Sequence, residues 1–282
     1  MKINWINKIK NRKKEDEQII LAEDTCLSVR NVSMSFSGLK VVTDVSFDIK
    51  EGEIFGLIGP NGAGKTTLFN CITQFYKPDN GSIFFRNNKN ETINLINFPT
   101  HKIIRHGLVR TFQNVELIGD LSVIENVMVG AHIKYKYDFW GCLFGFSGAK
   151  KEEKRIEEEA EGVLKFIGLD DIKNQPVSSQ PYGILKKIEL ARALMCDPKL
   201  IILDEPAAGM NEAETRELMN MIKIIRDEYK TTILLVEHDM KLVMGICDRI
   251  CAISFGEVIA IGTPSQIKNN IKVQEAYLGV TK

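Results

Sequence analysis

The sequence predicts an α/β fold built on a βαβ core, and two observations carry that reading. An apolar run (Ile54, Phe55, Leu57, Ile58) leads directly into Gly59-Pro60-Asn61-Gly62-Ala63-Gly64-Lys65-Thr66, which fits the phosphate-binding pattern G-x-x-x-x-G-K-S/T. Farther on, Leu200-Ile201-Ile202-Leu203 and Thr232-Ile233-Leu234-Leu235-Val236 are short, fully apolar runs separated by a helix-like stretch, Glu212–Tyr229. Strands of a parallel sheet covered on both faces need such runs.

Residues 1–24 mix Lys and Asn with Ile3, Trp5, Ile6 and Ile9. That composition suits a frayed tail, or a short amphipathic helix lying on a membrane surface or a partner. Ordered structure is expected from near Cys26, where Leu27 and Val29 alternate with polar residues as in a half-buried strand. A strand over residues 53–58 is followed by a helix over residues 64–75, a turn at Pro78-Asp79-Asn80-Gly81 and a strand through Ile83-Phe84-Phe85. Between residues 118 and 197 the pattern turns helical: Val123, Val127 and Val129 lead into one amphipathic helix, residues 150–167 form a charged second and residues 183–195 a third. This block reads as an inserted helical subdomain. The chain then divides into a basic tail (1–24), a first part of the core (25–117), the insertion (118–197), a second part of the core (198–262) and a C-terminal extension (263–282). Within the insertion, the glycine-spaced apolar run Phe139-Trp140-Gly141-Cys142-Leu143-Phe144-Gly145-Phe146 either packs inside the subdomain or meets a membrane partner. Residues 150–161 read as a solvated helix face with i,i+4 ion pairs.

Bulk properties bound the function. With 282 residues, 44% hydrophobic and 26% charged, the chain can bury a large core and is somewhat long for one compact unit. Its 37 basic residues balance 37 acidic ones, which removes a global electrostatic reason to bind nucleic acid. No apolar run reaches the roughly 18 residues that a membrane span requires, and the N-terminus lacks the apolar core of a signal peptide. Any membrane role is therefore expected to run through partners. Six scattered cysteines (Cys26, Cys71, Cys142, Cys196, Cys247, Cys251) form no C-x-x-C pair and suit reduced, structural thiols.

The chemistry concentrates in three places. Glycine at positions 59, 62 and 64 lets the loop from Gly59 through Thr67 curl around an anion with its N–H groups turned inward. Lys65 is then placed on the β and γ phosphates of a nucleoside triphosphate and the Thr66 hydroxyl on Mg²⁺, with the helix N-terminus adding its positive end. The apolar strand at residues 200–203 ends in Asp204-Glu205-Pro206, at the mouth of the sheet where α/β folds bind ligands. Asp204 suits Mg²⁺. Glu205 suits a general base that polarises the attacking water, a role typically worth about two to four decades of rate. The next strand ends in Val236-Glu237-His238-Asp239, which brings His238 to the same edge as a donor to the γ-phosphate.

On these motifs the chain resembles the ATP-binding cassettes of ABC transporters from about residue 26 to the C-terminus. The resemblance implies a P-loop NTPase (RecA-like) core with an antiparallel β subdomain and an inserted helical subdomain. Thr111-Phe112-Gln113-Asn114 looks like the family's glutamine loop, which makes Gln113 the sensor that touches Mg²⁺ and water. Gln180-Pro181-Tyr182-Gly183-Ile184 occupies the place of the L-S-G-G-Q signature, with Tyr182 and Gly183 facing nucleotide, and Ala207-Ala208-Gly209-Met210-Asn211 matches the D-loop. Phe36 matches the aromatic that stacks on adenine, a contact worth roughly 1–3 kcal/mol, although an ordinary core phenylalanine is the competing reading.

The strings G-P-N-G-A-G-K-T-T-L-F-N, V-R-T-F-Q-N, D-E-P-A-A-G-M-N, V-E-H-D-M-K-L-V-M-G and the closing A-Y-L-G are most similar to the ATPase subunits of branched-chain amino acid importers. That likeness implies an ATP-hydrolysing subunit at the cytoplasmic face of the cell membrane. Its partners would be membrane permease subunits, a second ABC ATPase subunit and, indirectly, an external substrate-binding protein. A cassette of a lipid or polysaccharide exporter would carry the same motifs. The signature departs from the family pattern: Pro181 stands where a serine hydroxyl is expected, and Ile184 where glutamine is. The departure leaves room for a slow-turnover, nucleotide-binding regulatory subunit. A ribosome-acting protein with two joined cassettes is disfavoured by the single phosphate loop and single Asp-Glu-Pro, and a DNA-repair ATPase by the lack of a long coiled-coil or zinc insertion.

Overall fold

The computed structural model describes residues 21–111, 115–134 and 147–278. Strands β1 (Thr25–Phe36) and β2 (Leu39–Lys50) form a hairpin, β3 (Ile54–Ile58) runs into helix α1 (Lys65–Ile72), and β4 (Asn80–Arg86) and β5 (Thr92–Asn94) follow. A short turn of helix, α2 (Thr100–Ile103), precedes β6 (Leu108–Arg110), and helices α3 (Val123–Val129), α4 (Ser147–Ile167) and α5 (Tyr182–Leu194) come next. The chain then alternates through β7 (Leu200–Asp204), α6 (Glu212–Tyr229), β8 (Thr232–Val236), α7 (Met240–Ile246), β9 (Arg249–Ser254) and β10 (Glu257–Gly262). Helices α8 (Pro264–Lys268) and α9 (Ile271–Leu278) close it.

Two sheets result. One is antiparallel in the order β2-β1-β4-β5; the other runs β10-β9-β3-β8-β7-β6, parallel except for the edge strand β10. The central strands alternate between two cores, as the period of two dictates. Ile54, Ile58, Ile201, Leu203, Ile233 and Leu235 pack with Val127, Leu164, Leu194 and Ile222 on one face. Phe55, Leu57, Leu200, Ile202, Leu234 and Val236 pack on the other face with α1 and the antiparallel sheet, through Phe69, Leu27 and Phe85. The Phe47 and Phe55 rings stack across this second core with centroids 5.3 Å apart. Each such side chain removed from water contributes about 1.5–3 kcal/mol.

Several expectations shift when the structure is in view. The helix after the phosphate loop ends at Ile72 rather than near residue 75, because Gln74 turns to φ 57° and breaks the ladder. Asn80 and Gly81, read as turn, already belong to β4. Order begins before Cys26: Leu21 is buried, and the Arg86 guanidinium donates to the Leu21 and Ala22 carbonyls. The first strand is not half-buried at its start, since Thr25 through Val29 are buried throughout, sandwiched between the β2 and β4 strands and the core. In the charged helix α4 Lys154 and Glu158 form an i,i+4 pair at 3.8 Å, and Lys134 and Lys173 reach Glu159 and Glu161 from neighbouring segments. Five cysteines of the described residues are buried free thiols. The Phe139–Phe146 run, Cys142 and most of the tail lie outside the described residues.

The turn between β9 and β10 braces the phosphate loop. Gly256 donates its N–H to the Ala63 carbonyl at 3.0 Å and accepts at its own carbonyl from Thr43 of β2 at 2.8 Å. Its φ is +80°, and a Cβ there would lie 2.4 Å from the Val41 carbonyl oxygen. Gly256→Ala is therefore expected to cost about 1–3 kcal/mol of stability. Urea unfolding with an unchanged slope but a lower midpoint would show it; an unchanged midpoint would mean that the turn is not the brace described here.

Candidate active site

β3 delivers the chain to the phosphate loop, where a tight turn closes with the Ala63 N–H on the Pro60 carbonyl at 3.1 Å. Gly64, the residue before α1, has φ 97°. A side chain there would be strained and would drive a Cβ to 2.6 Å from the Val41 carbonyl oxygen. No side chain caps α1, so its N-terminus presents backbone N–H groups toward the loop. Lys65 is buried and folds over the loop, donating to the Gly59 carbonyl at 2.6 Å and the Pro60 carbonyl at 3.1 Å. Burial pushes its ammonium below the usual lysine range, and the Glu205 carboxylate partly offsets that. Asn61, Gly62 and Thr66 are exposed around it, with Thr67 half-buried.

Two strands away, β7 ends at Asp204, directly opposite Val236 at the end of β8. Asp204 is buried and sits 3.3 Å from the Arg110 guanidinium. Burial raises its pKa above the usual aspartate range, and Arg110 works against that rise. Glu205 adopts φ 45°, and its N–H donates to the Val236 carbonyl at 2.8 Å. Its Oε1 lies 3.6 Å from His238 Nδ1. Asp204 and Thr66 offer hard oxygen donors of the kind Mg²⁺ takes, and no cluster of three His, Cys, Asp or Glu competes as a metal site among the described residues. The residue set therefore fits a cation held mainly by substrate phosphates and water.

Glu237 is the residue that sequence reasoning passed over. Its carboxylate is 1% exposed and accepts from three backbone N–H groups: Ala207 at 3.2 Å, His238 at 2.7 Å and Asp239 at 3.0 Å. It thereby pins the loop after β7 to the loop after β8. The signal was present, since a carboxylate directly after four apolar strand residues must be satisfied if it stays inside. Arg110, at the end of β6, was likewise given no role.

Of the expected site residues, the loop Gly59 to Thr67 with Lys65, Asp204, Glu205 and His238 share one edge of the parallel sheet. Phe36, at the end of β1, is 39% exposed and touches Tyr76 edge-on with centroids 5.3 Å apart, so it is not a core phenylalanine. Tyr182 and Gly183 open α5 in a different neighbourhood: a Cβ on Gly209 would be 3.5 Å from the Tyr182 ring, and one on Gly183 3.3 Å from Glu214. Pro181 precedes α5 as its cap residue, with no side-chain hydrogen bond to the helix. Gln113 lies outside the described residues. At the other end of the chain, the Tyr277 hydroxyl of α9 lies against the backbone of Gly59.

The profile of the family described as "ABC transporter" matches residues 42–208. The chain belongs to the ABC transporter ATP-binding family. Residues 257–282 match a second profile, described as "Branched-chain amino acid ATP-binding cassette transporter". The high-affinity branched-chain amino acid transport ATP-binding protein LivG of Salmonella typhimurium is 44% identical over 253 residues, covering 90% of this chain and 97% of LivG. The crystal structure of an ABC transporter ATP-binding cassette in its ADP conformation superposes with a TM-score of 0.77 at 30% identity, over 91% of this chain and 99% of that one. A dimeric cassette in a post-hydrolysis state, bound to ADP and Pi, superposes with a TM-score of 0.69 at 25% identity, over 84% of this chain and 98% of that one. The cassette fold expected from the sequence is thus the fold observed.

Glu237→Gln in this cassette turns one acceptor oxygen into an NH₂ group facing backbone N–H donors. A loss of about 1–3 kcal/mol is expected in chemical denaturation. An unchanged stability would show that the carboxylate does not hold the two loops.

Proposed function

We propose that this chain is the ATP-hydrolysing subunit of an importer of branched-chain amino acids. The observation that carries the proposal is the convergence of Lys65, Asp204, Glu205 and His238 on one sheet edge, with Glu205 3.6 Å from His238. The name of the LivG relative, which aligns over most of the chain, and the profile match of the C-terminal residues support the substrate class. Function comes from those sites rather than from the fold, which many activities share.

In this reading Lys65 exchanges its contacts with the Gly59 and Pro60 carbonyls for the terminal phosphates, where an ammonium is better matched. The loop N–H groups and the α1 N-terminus bind the remaining phosphate charge. Glu205 takes the proton of the attacking water, and His238 orients the terminal phosphoryl group and the base together. Thr66, Asp204 and Gln113 would hold Mg²⁺, which supplies charge neutralisation on the phosphates when bound. Phe36 stacks on the base. Partners are membrane permease subunits, a second cassette and, through the permease, an external binding protein; the chain works as a peripheral protein at the cytoplasmic membrane face. The five divisions set out above serve as its working parts, with the helical block at 118–197 passing motion to the permease.

Pro181 favours a refinement. In a closed pair of cassettes, the N-terminus of α5 would face the nucleotide on the partner, and there the expected serine hydroxyl is missing. Gly183 and the helix dipole remain. The site completed by this chain's signature is the weaker one, and the site on its own phosphate loop, completed by the partner's signature, is the stronger.

Glu205→Gln is expected to lower ATP turnover of the reconstituted complex by about 10²- to 10⁴-fold while retaining nucleotide binding. Lys65→Ala should lose triphosphate binding itself. Uptake of labelled leucine, isoleucine and valine into vesicles holding the complex should fall with turnover. Turnover at the parent rate in Glu205→Gln would remove the base assignment, and uptake of other solutes only would remove the substrate class. Restoring residues 180–184 to L-S-G-G-Q should raise turnover of the complex; unchanged turnover would remove the unequal-site refinement.

A further inference from the structure

Arg110 sits where three elements meet. Its Nη2 lies 3.3 Å from Asp204 Oδ2 across the parallel β6–β7 pair, and its Nη1 donates to Asn70 Oδ1 on α1 at 3.1 Å. The guanidinium lies over the Phe69 ring at 4.0 Å and the Phe75 ring at 5.0 Å. Both partners of the ion pair are largely withdrawn from water, with side chains 16% and 11% exposed. A carboxylate so placed needs a cation, because an unpaired buried charge is strongly disfavoured. Arginine suits the position better than lysine: its planar fork serves Asp204 and Asn70 together while its face rests on Phe69.

The same carboxylate is the one assigned above to Mg²⁺, and the inference rests on that assignment. Asp204 then has two cations that compete for it. We propose that Arg110 is a positioning residue that stands in for the divalent cation, neutralising Asp204 in the metal-free cassette and yielding that charge to Mg²⁺ when nucleotide arrives. Asn70 and the Phe69 ring give the guanidinium a place to stay when Asp204 turns to the metal. Both belong to α1, whose first turn carries Lys65 and Thr66. The exchange of cations at Asp204 is therefore felt by the helix that holds the phosphates.

The consequence is opposite to that of an ordinary structural arginine. Removing Arg110 leaves the metal-free state with a buried carboxylate that has lost its ion-pair partner and keeps only the weaker influence of Lys186, whereas the Mg²⁺-bound state has its compensation. Arg110→Gln should lower the thermal midpoint by several degrees in EDTA. Mg²⁺ with ADP should restore most of that gap. By linkage, the variant should bind ADP with Mg²⁺ more tightly than the parent, by about fivefold or more, and ADP in EDTA no more tightly. Arg110→Lys keeps the charge without the two-armed reach and should fall between the two.

Parent, Arg110→Gln and Arg110→Lys are compared by thermal unfolding and by titration with ADP, each with EDTA and with Mg²⁺. An equal loss of stability with and without Mg²⁺, or unchanged or weaker Mg²⁺–ADP binding in Arg110→Gln, overturns the inference and leaves Arg110 a packing residue. If the parent and Asp204→Asn bind ADP alike whether or not Mg²⁺ is present, the metal assignment of Asp204 fails, and the inference fails with it.

Discussion

Parallel pairing of β3, β8 and β7 is the constraint on which the rest of the molecule depends. Leu57 pairs with Val236 and Val236 with Asp204, so three strands end at one level. Every chain reversal that follows must start from that edge. One becomes the glycine loop, one the Asp204-Glu205 turn, and one the Glu237-His238 turn. In a parallel sheet the connections return behind the layers, which leaves this edge for side chains that are polar and cannot be buried in either core. The two cores fix the register, since slipping β3 by one residue would exchange Phe55 and Leu57 with Ile54 and Ile58 between unlike faces.

At that edge, order comes from buried polar groups rather than from packing. Glu237 draws the loop after β7 onto the loop after β8 through the Ala207 N–H, so the link needs the Glu237 carboxylate but no side chain from the loop after β7. Arg110 does the same between β6, β7 and α1, using charge and an aromatic face. Each group sits where water is scarce, so each bond counts for more than it would at the surface. Asp204 and Glu205 are neighbours in sequence, yet they are governed by different supports: Asp204 by Arg110 and Glu205 by His238 and the β8 carbonyl.

Much of this was legible in the sequence, for a physical reason. Strands with runs of four apolar residues and a glycine loop leave few alternatives, and β7 and β8 follow from them directly. The antiparallel sheet was harder to read, because β1 and β2 are 12 residues each with bulges that break the period of two. β9 and β10 went unread: a two-residue turn of Phe255 and Gly256 at positive φ carries none of the usual Asn-Gly signal. The residues proposed to touch substrate were named by motif. Glu237 and Arg110 were not, since residues that act by satisfying buried neighbours announce themselves only when burial and partners are known.

Glu205, proposed above as the base, shows such support at work. It holds φ 45°, a left-handed conformation that costs an ordinary residue about 1–2 kcal/mol, and it does so directly before Pro206, whose ring favours an extended predecessor. Relaxing to that extended form would swing the carboxylate away from His238 and release the N–H from Val236. The hydrogen bond to β8 at 2.8 Å and the onward bond from the Ala208 N–H to the Glu205 carbonyl at 3.1 Å hold the residue against that preference. The strain is thus tied to the strand that leads into the His238 loop, so carboxylate and imidazole are positioned by the same backbone contact. A change that loosened β8 at Val236 would release both together, so the pair is coupled through one backbone contact.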